Sequence, residues 1–99
     1  MKPHGFHREA EAEYVAAVEY YAGISRALAR RFSDEIEHLI EEACTRPRAY
    51  RCIQGTVRRH FSSTFPYGIL FEDRPDMVRI LAVMNLHRDP RYWHTRLHR

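Results

Sequence analysis

The first half of the chain repeats apolar residues at the three- and four-residue spacing of an amphipathic helix. One such stretch begins at Arg8 and reaches Gly23, a residue type that commonly follows the last turn of a helix. A second begins after Ser25, whose hydroxyl suits an N-cap, and continues to Pro47. The apolar positions are Ala10, Tyr14, Ala17, Val18 and Tyr21, followed by Leu28, Phe32, Ile36, Leu39, Ile40 and Ala43. The sequence therefore predicts two helices that form an antiparallel hairpin.

The second half contains three segments with the length and composition of β-strands. Residues 56–61 alternate between faces that are not cleanly apolar, which favours a strand beside an exposed groove. Residues 67–71 and 77–84 are apolar at successive positions, as expected of central strands covered on both faces. Residues 72–76 include a proline and form the turn between these strands. We therefore predict an antiparallel meander, in which Gly68 marks a close approach of another element.

These elements give one domain, residues 1–99, of the α+β class. The economical arrangement packs the two-helix hairpin on one face of a small antiparallel sheet, because each helix has a single apolar stripe. A short strand at Phe6 is expected at the sheet edge, and residues 48–55 are expected to form a connector. No apolar run approaches the ~20 residues that span a bilayer, and no signal-peptide core is evident. We therefore expect a cytoplasmic protein that has no contact with a membrane.

The cysteines and histidines give no strong signal of a metal or redox site. Cys44 and Cys52 are expected to be free thiols, although their spacing alone leaves a disulfide bridge open. The histidine pairs at positions 4 and 7 and at positions 94 and 98 have spacings seen in metal sites. No carboxylate or thiol partner is indicated for either pair, so no metal or cofactor is predicted.

The positive charge is concentrated in the second half of the chain. Residues 1–46 contain six Lys or Arg and nine Asp or Glu, whereas residues 47–99 contain ten Arg and four acidic residues. The two halves therefore carry net charges of −3 and +6. Arginine favours bidentate contacts with phosphates and carboxylates, so the partner is expected to be nucleic acid or an acidic protein segment. Charge alone does not choose between them.

Two short motifs in the second half resemble a known family. FPY at residues 65–67 opens the hairpin, and HRDPRYW at residues 87–93 follows its second strand. Together with the order of two helices and a meander, these motifs resemble the ParE-like branch of the RelE/ParE family, which comprises toxins of bacterial type II toxin–antitoxin modules. The resemblance covers nearly the whole chain and implies the same α+β fold.

The resemblance implies a function as well as a fold. A ParE-like toxin would inhibit growth by contacting DNA gyrase without covalent chemistry, and a cognate antitoxin would neutralise it in a hetero-oligomer, as in modules for plasmid stabilization. A second hypothesis is an endoribonuclease that cleaves mRNA on the ribosome, as in the RelE-like branch. A third is a basic binding module that has kept the fold and lost toxicity. One fold can serve all three functions.

The hypothesis of RNA cleavage requires a general base, a general acid and cations around the phosphorane-like transition state. By resemblance, His87 or Tyr92 would transfer protons, while Arg58 and Arg79 would stabilise charge. RNA-cleaving members commonly use additional Lys or Glu groups, and the strand region here contains no lysine. The hypothesis of target binding by contact assigns roles to Arg58, Arg59, His60, Arg88 and Arg91.

Structural roles are the alternative for several residues near the end of the chain. Arg79 would pair with an acidic residue across the sheet, and Asp89 would cap the turn before Pro90. Tyr92 and Trp93 would pack under the helices. Residues 92–99 would form a last helical turn or a basic tail.

Overall fold

The computed structural model describes residues 1–98 and confirms an α+β arrangement. The strands are β1 (His4–Phe6), β2 (Cys52–Gln54), β3 (Val57–Phe61), β4 (Tyr67–Asp73) and β5 (Val78–Asn85). The α-helices are α1 (Arg8–Ala22) and α2 (Arg26–Thr45), with short 3-10 helices at Pro47–Ala49 and His94–His98. The strands form one sheet in the order β1-β5-β4-β3-β2, and both α-helices pack on one of its faces.

Both α-helices begin and end where the sequence predicts. Gly23 follows the last residue of α1, and Ser25 Oγ accepts the Leu28 N–H at 3.0 Å to cap α2. The N-cap of α1 is the buried His7, whose Nδ1 accepts the Glu9 N–H at 3.1 Å. His7 therefore has a local structural role, which its spacing from another histidine did not reveal.

Two strands extend the predicted meander into a mixed sheet. β1 lies at the predicted edge but runs parallel to β5, which the long connection of both helices and three strands between them permits. β2 lies within the segment predicted to be a connector and pairs antiparallel with β3. All three residues of β2 are exposed, so the strand has no apolar alternation from which it could be predicted. β4 and β5 are inner strands, as predicted.

The sheet is buried on two faces that are covered by different parts of the chain. On the helix side, Phe32 and Ile36 pack with Phe71 and other fully buried residues of the sheet. We call the opposite side of the sheet the distal face. Its buried residues are Val57, Leu70, Leu81, Ala82, Met84 and Trp93. The prediction that Tyr92 and Trp93 pack under the helices is therefore wrong, because the chain crosses to the distal face after β5.

Two irregular positions in the inner strands shape the distal face. Leu70 pairs with Ala82 and Phe71 with Ile80, so Leu81 is the extra residue of a β-bulge in β5. At Gly68, an added Cβ would lie 2.2 Å from Cδ1 and 3.0 Å from Cα of Phe61 on β3. The close approach predicted at this glycine is confirmed, and its source is an aromatic ring of the neighbouring strand.

The C-terminal segment forms a short helix, and the described α-helices are not of a membrane-spanning kind. The predicted last helical turn is present at His94–His98, while Arg99 lies outside the described residues. Within residues 1–98, neither α-helix is long and apolar enough to cross a membrane.

Candidate functional site

Two of the predicted basic residues, Arg58 and His60, lie on the helix side of β3. Arg58 Nη1 donates to the Tyr50 carbonyl oxygen at 2.8 Å. The His60 ring stacks on the Tyr50 ring with 4.2 Å between centroids, and His60 Nε2 lies 2.8 Å from Glu42 Oε1. The contact with His60 is the main cause that lowers the pKa of the Glu42 carboxyl. These half-buried side chains therefore hold the segment after α2 against the sheet.

Arg59 and Arg79 lie on the distal face. The Arg59 guanidinium stands 4.8 Å from the centroid of the Phe61 ring. Arg79 lies directly opposite Glu72 in the register of β4 and β5, while the Glu72 carboxylate accepts from Arg74 Nη2 at 3.0 Å. An ion pair of Arg79 across the sheet stays a prediction. Arg58 and Arg79, the two cations of the predicted cleavage set, therefore point to opposite faces of the sheet.

The loop after β5 presents His87 and Arg91 to solvent. The His87 N–H donates to Asn85 Oδ1 at 2.9 Å, which orders the backbone and leaves the imidazole exposed. Asp89 Oδ1 accepts the Arg91 N–H at 2.9 Å, as predicted for a cap in this turn. The Arg91 side chain is 78% exposed, and its Nε is 3.9 Å from Asp89 Oδ1, beyond hydrogen-bonding distance.

Tyr92 is enclosed by cations. The Arg88 guanidinium carbon lies 3.9 Å from the centroid of the Tyr92 ring, and that of Arg96 lies 4.9 Å away. The Tyr92 hydroxyl is buried and has no hydrogen-bond partner among residues 1–98. Burial is the main cause that raises its pKa, the nearby Glu13 carboxylate adds to the effect, and the two arginines oppose it. The hydroxyl is therefore poorly placed to exchange a proton with an external substrate.

Glu13 and Arg96 form an ion pair that the sequence analysis missed. Arg96 is 5% exposed; its Nη1 lies 2.8 Å from Glu13 Oε1, and its Nη2 lies 3.0 Å from Oε2. This bidentate geometry links α1 to the C-terminal segment. Arg88 Nη1 joins the same carboxylate at 3.3 Å from the solvent side. Glu13 thus positions two arginines of the C-terminal segment.

The same pair satisfies backbone groups of β5 at positions where no strand among residues 1–98 lies beside it. β1 pairs with β5 only as far as Ile80. Beyond that residue, Arg96 Nη1 donates to the Leu81 carbonyl oxygen at 2.9 Å, and the Val83 N–H donates to Glu13 Oε1 at 3.1 Å. Two charged side chains therefore make hydrogen bonds that a longer β1 would otherwise make.

One of these two residues had a signal in the sequence. Glu13 lies three residues after Ala10 and four before Ala17, which places it on the buried side of α1. A carboxylate at such a position needs a cation to pair with. Arg96 had no comparable signal, because an isolated arginine near the chain end looks the same whether it is buried or solvated.

The exposed candidates line two grooves. A groove of about 550 Å³, which we call the α1 groove, includes His87, Arg88, Tyr20 and Tyr67 in its lining. A second groove of about 430 Å³ lies on the distal face between β2 and the C-terminal segment, and we call it the distal groove. Its lining includes Arg59, Arg91, Ile53, Met84, Leu86 and Trp93.

The structure thus divides the predicted site residues among separate places. Arg58 and His60 take part in packing on the helix side, His87 and Arg88 line the α1 groove, and Arg59 and Arg91 line the distal groove. Of the cleavage set, His87 is exposed, the Tyr92 hydroxyl is buried, and Arg58 and Arg79 lie on opposite faces. The arrangement does not bring these four groups to one point.

Within residues 1–98, neither the two cysteines nor the other metal-ligating side chains form a site of their own. Cys44 is buried and Cys52 is exposed, and both are free thiols. Burial raises the pKa of the Cys44 thiol, which disfavours the reactive thiolate. Within the described part of the chain, no group of three or more His, Cys, Asp or Glu residues is placed to hold a metal ion.

Comparison with known proteins identifies the fold. No protein-family model and no curated protein matches the chain. Among solved structures, it is similar to a chain from "Chromosomal ParDE TA system from P. aeruginosa", with a TM-score of 0.74 and 19% sequence identity. The match covers 87% of this chain and 97% of that chain. The α+β fold implied by the RelE/ParE resemblance is therefore confirmed.

Proposed function

We propose that this chain is the toxin of a type II toxin–antitoxin module. The carrying observation is the fold, which it shares over 87% of its length with a chain of the ParDE TA system from P. aeruginosa. The motifs FPY at residues 65–67 and HRDPRYW at residues 87–93 support the same assignment from the sequence. In this role the protein acts in the cytoplasm and inhibits growth when it is not neutralised.

The proposed target is DNA gyrase, inhibited by contact and without a bond-breaking step. The placement of the candidate residues supports contact over cleavage. Catalysis by acid–base groups requires them within hydrogen-bonding reach of one substrate position. The Tyr92 hydroxyl is buried, and Arg58 is engaged by the Tyr50 carbonyl oxygen on the other face from Arg79. Exposed arginines suit recognition of an acidic surface without that convergence.

The proposed neutralising partner is an acidic antitoxin whose toxin-binding segment becomes ordered on binding. The net charge of +6 in residues 47–99 favours an acidic segment. Such a segment would form a large interface, salt-sensitive at its rim. A small neighbouring reading frame that encodes an acidic, partly disordered segment is the expected genetic context.

Induced expression in a bacterial cell tests the proposal. We expect growth arrest, altered DNA supercoiling and induction of the SOS response, with no new mRNA cleavage sites. Purified protein should inhibit supercoiling by gyrase in the absence of ribosomes. A folded product that does not inhibit growth would contradict the toxin assignment and would favour a basic binding module.

RNA cleavage on the ribosome is the second candidate, because His87 is exposed beside Arg88 in the α1 groove. If His87 transfers a proton, His87→Ala should lower single-turnover cleavage on programmed ribosomes by about 10²–10⁴-fold and leave ribosome binding nearly intact. If the protein acts by contact, the wild type cleaves nothing in that assay. Strong cleavage that is lost in His87→Ala, with gyrase unaffected, would overturn the gyrase proposal.

A further inference from the structure

The distal groove combines an apolar floor with a cationic rim. Met84 and Trp93 form the buried part of the floor, with 6% and 1% of their surface exposed. Ile53 and Leu86 flank the floor and are 39% and 37% exposed, so they add accessible aliphatic surface beside the two buried side chains. The groove therefore offers a place for an aliphatic side chain of another molecule.

The charge around this floor has one sign. Arg59 and Arg91 line the groove, and its described lining contains no Asp or Glu. The nearest acidic residue to Arg91 is Asp89, whose carboxylate is 63% exposed and 3.9 Å from Arg91 Nε. A pair this exposed and this long is weak, so Arg91 remains available for a better acceptor. The complementary ligand is therefore anionic at its flanks.

We propose that the distal groove binds an extended acidic segment of a partner protein, with one aliphatic side chain seated between Ile53, Met84 and Leu86. Arg59 and Arg91 would pair with carboxylates on either side of this anchor. β2 is a short exposed edge strand at the border of the groove, so an extended segment can run beside it.

The groove favours a peptide over single-stranded nucleic acid. Sequence-tolerant binding of single strands uses aromatic faces on which bases stack. Here the Trp93 ring is 1% exposed, and the Phe61 ring already carries the Arg59 guanidinium at 4.8 Å. The exposed apolar side chains beside the floor, Ile53 and Leu86, are aliphatic, which matches a leucine or isoleucine side chain better than a base.

This inference rests on the proposed function for the identity of the partner, which would be the antitoxin. The binding chemistry is independent of it, so the two can fail separately. Absence of growth arrest would reject the toxin assignment and leave the groove untouched. Failure of the binding experiment below would reject the groove and leave the toxin assignment untouched.

Fluorescence anisotropy with designed peptides tests the groove. The probe is a short labelled peptide with one central leucine flanked by glutamates, titrated with the full chain at low salt. We expect saturable binding that falls about tenfold when glutamine replaces the glutamates or asparagine replaces the leucine. Arg91→Glu and Leu86→Asn should each weaken binding of the original peptide by a similar factor.

A charge swap and a matched control make the test specific. A peptide with lysine in place of one flanking glutamate should bind Arg91→Glu better than it binds wild type. Arg30→Glu, which changes the charge of an exposed residue on α2 by the same amount, should weaken binding much less than Arg91→Glu, because only long-range attraction is altered. Thermal unfolding of each variant verifies that it is folded. Equal loss in Arg30→Glu, no peptide binding by wild type, or tighter binding of oligouridylate that Arg91→Glu abolishes would overturn the proposal.

Discussion

The two faces of the sheet are covered in different ways, and the difference separates stability from recognition. On the helix side, two complete helices bury a cluster of rings in which Phe32 lies 5.3 Å from Phe65 and 5.0 Å from Tyr67 between centroids. On the distal face, Trp93 and its neighbours cover one part of the sheet and leave a groove beside Arg59. The covered face supplies most of the apolar burial, while the half-covered face leaves Arg59 and Arg91 at the border of a groove.

The largest expected effect is on the helix side. Phe32 is fully buried, so Phe32→Ala should lower the free energy of unfolding by about 3–5 kcal/mol, a large share of a small domain's stability. Urea denaturation followed by circular dichroism measures the change. Tyr20→Ala is the control, because this ring is 64% exposed and its removal should cost much less. Equal losses in the two variants would mean that the ring cluster is not the stability core.

The next largest effect concerns the link between α1 and the C-terminal segment, which covers part of the distal face. Arg96→Ala leaves the Glu13 carboxylate, 14% exposed, without its bidentate partner, and should cost roughly 3 kcal/mol. Arg88→Ala removes a cation from the same carboxylate, but Arg88 is 54% exposed and should cost below about 1 kcal/mol. Comparable losses in both variants would show that burial does not distinguish the two ion pairs.

A smaller effect is expected where β3 and β4 approach each other closely at Gly68. Gly68→Ala places a methyl group 3.0 Å from the Phe61 Cα, which is backbone and cannot rotate away. Displacement of β3 should therefore cost about 1–3 kcal/mol. The double variant Phe61→Ala with Gly68→Ala separates ring from backbone, because the ring clash is gone there. If Gly68→Ala leaves the free energy of unfolding unchanged both in the wild type and in Phe61→Ala, β3 does not lie this close to Gly68.

The smallest effect is a pH dependence that arises on the helix side. Burial raises the pKa of Tyr14 from 10.0 to about 12; the Ser33 hydrogen bond opposes this and Glu37 adds to it. Between these values the unfolded chain loses the phenolic proton and the folded chain keeps it, so stability falls as pH rises. The contribution of Tyr14 is complete below pH 10 and is lost as pH passes about 12.

Urea denaturation at several pH values between neutrality and the alkaline range measures this slope. Tyr14→Phe should reduce it, because the Tyr14 phenol is absent in both states, while Tyr92, whose pKa is also raised by burial, keeps its own part of the slope. Tyr20→Phe should leave it unchanged, since that ring is 64% exposed. A slope in Tyr14→Phe as steep as that of the wild type would assign the alkaline loss of stability to other groups.

The helices and inner strands were predictable from the sequence because periodicity reports burial. Phe32 and Ile36 repeat at helical spacing, which fixed the side of α2 that faces the core. Residues 77–84 are apolar except for Arg79, which indicated a strand buried on both faces. β2 escaped prediction because none of its three residues is buried. The position of Trp93 also escaped, because its hydrophobicity predicts burial but does not say against which face.

The candidate site was less predictable than the fold. A list of basic residues in the strand region contains no information on which side each one faces. The alternation of side chains along β3 correctly placed Arg58 and His60 on one face and Arg59 on the other. The hypothesis of RNA cleavage nevertheless assigned Arg58 and Arg79 to one site, although they lie on opposite faces of the sheet. Glu13 received no role in the prediction, although its spacing from Ala10 and Ala17 places it on the buried side of α1. Contacts between distant segments, such as Glu13 with Arg96, depend on tertiary structure.

The hydrogen bonds of Glu13 and Arg96 to β5 have a consequence for aggregation. An uncovered strand edge offers unpaired N–H and C=O groups that can pair with another copy of the chain. At Leu81 and Val83 these groups are occupied by two charged side chains, which also present a surface that a second strand cannot approach without burying charge. A chain truncated before Arg96 would expose this apolar edge. We therefore expect Glu13 and Arg96 to hinder edge-to-edge pairing of two copies of the chain.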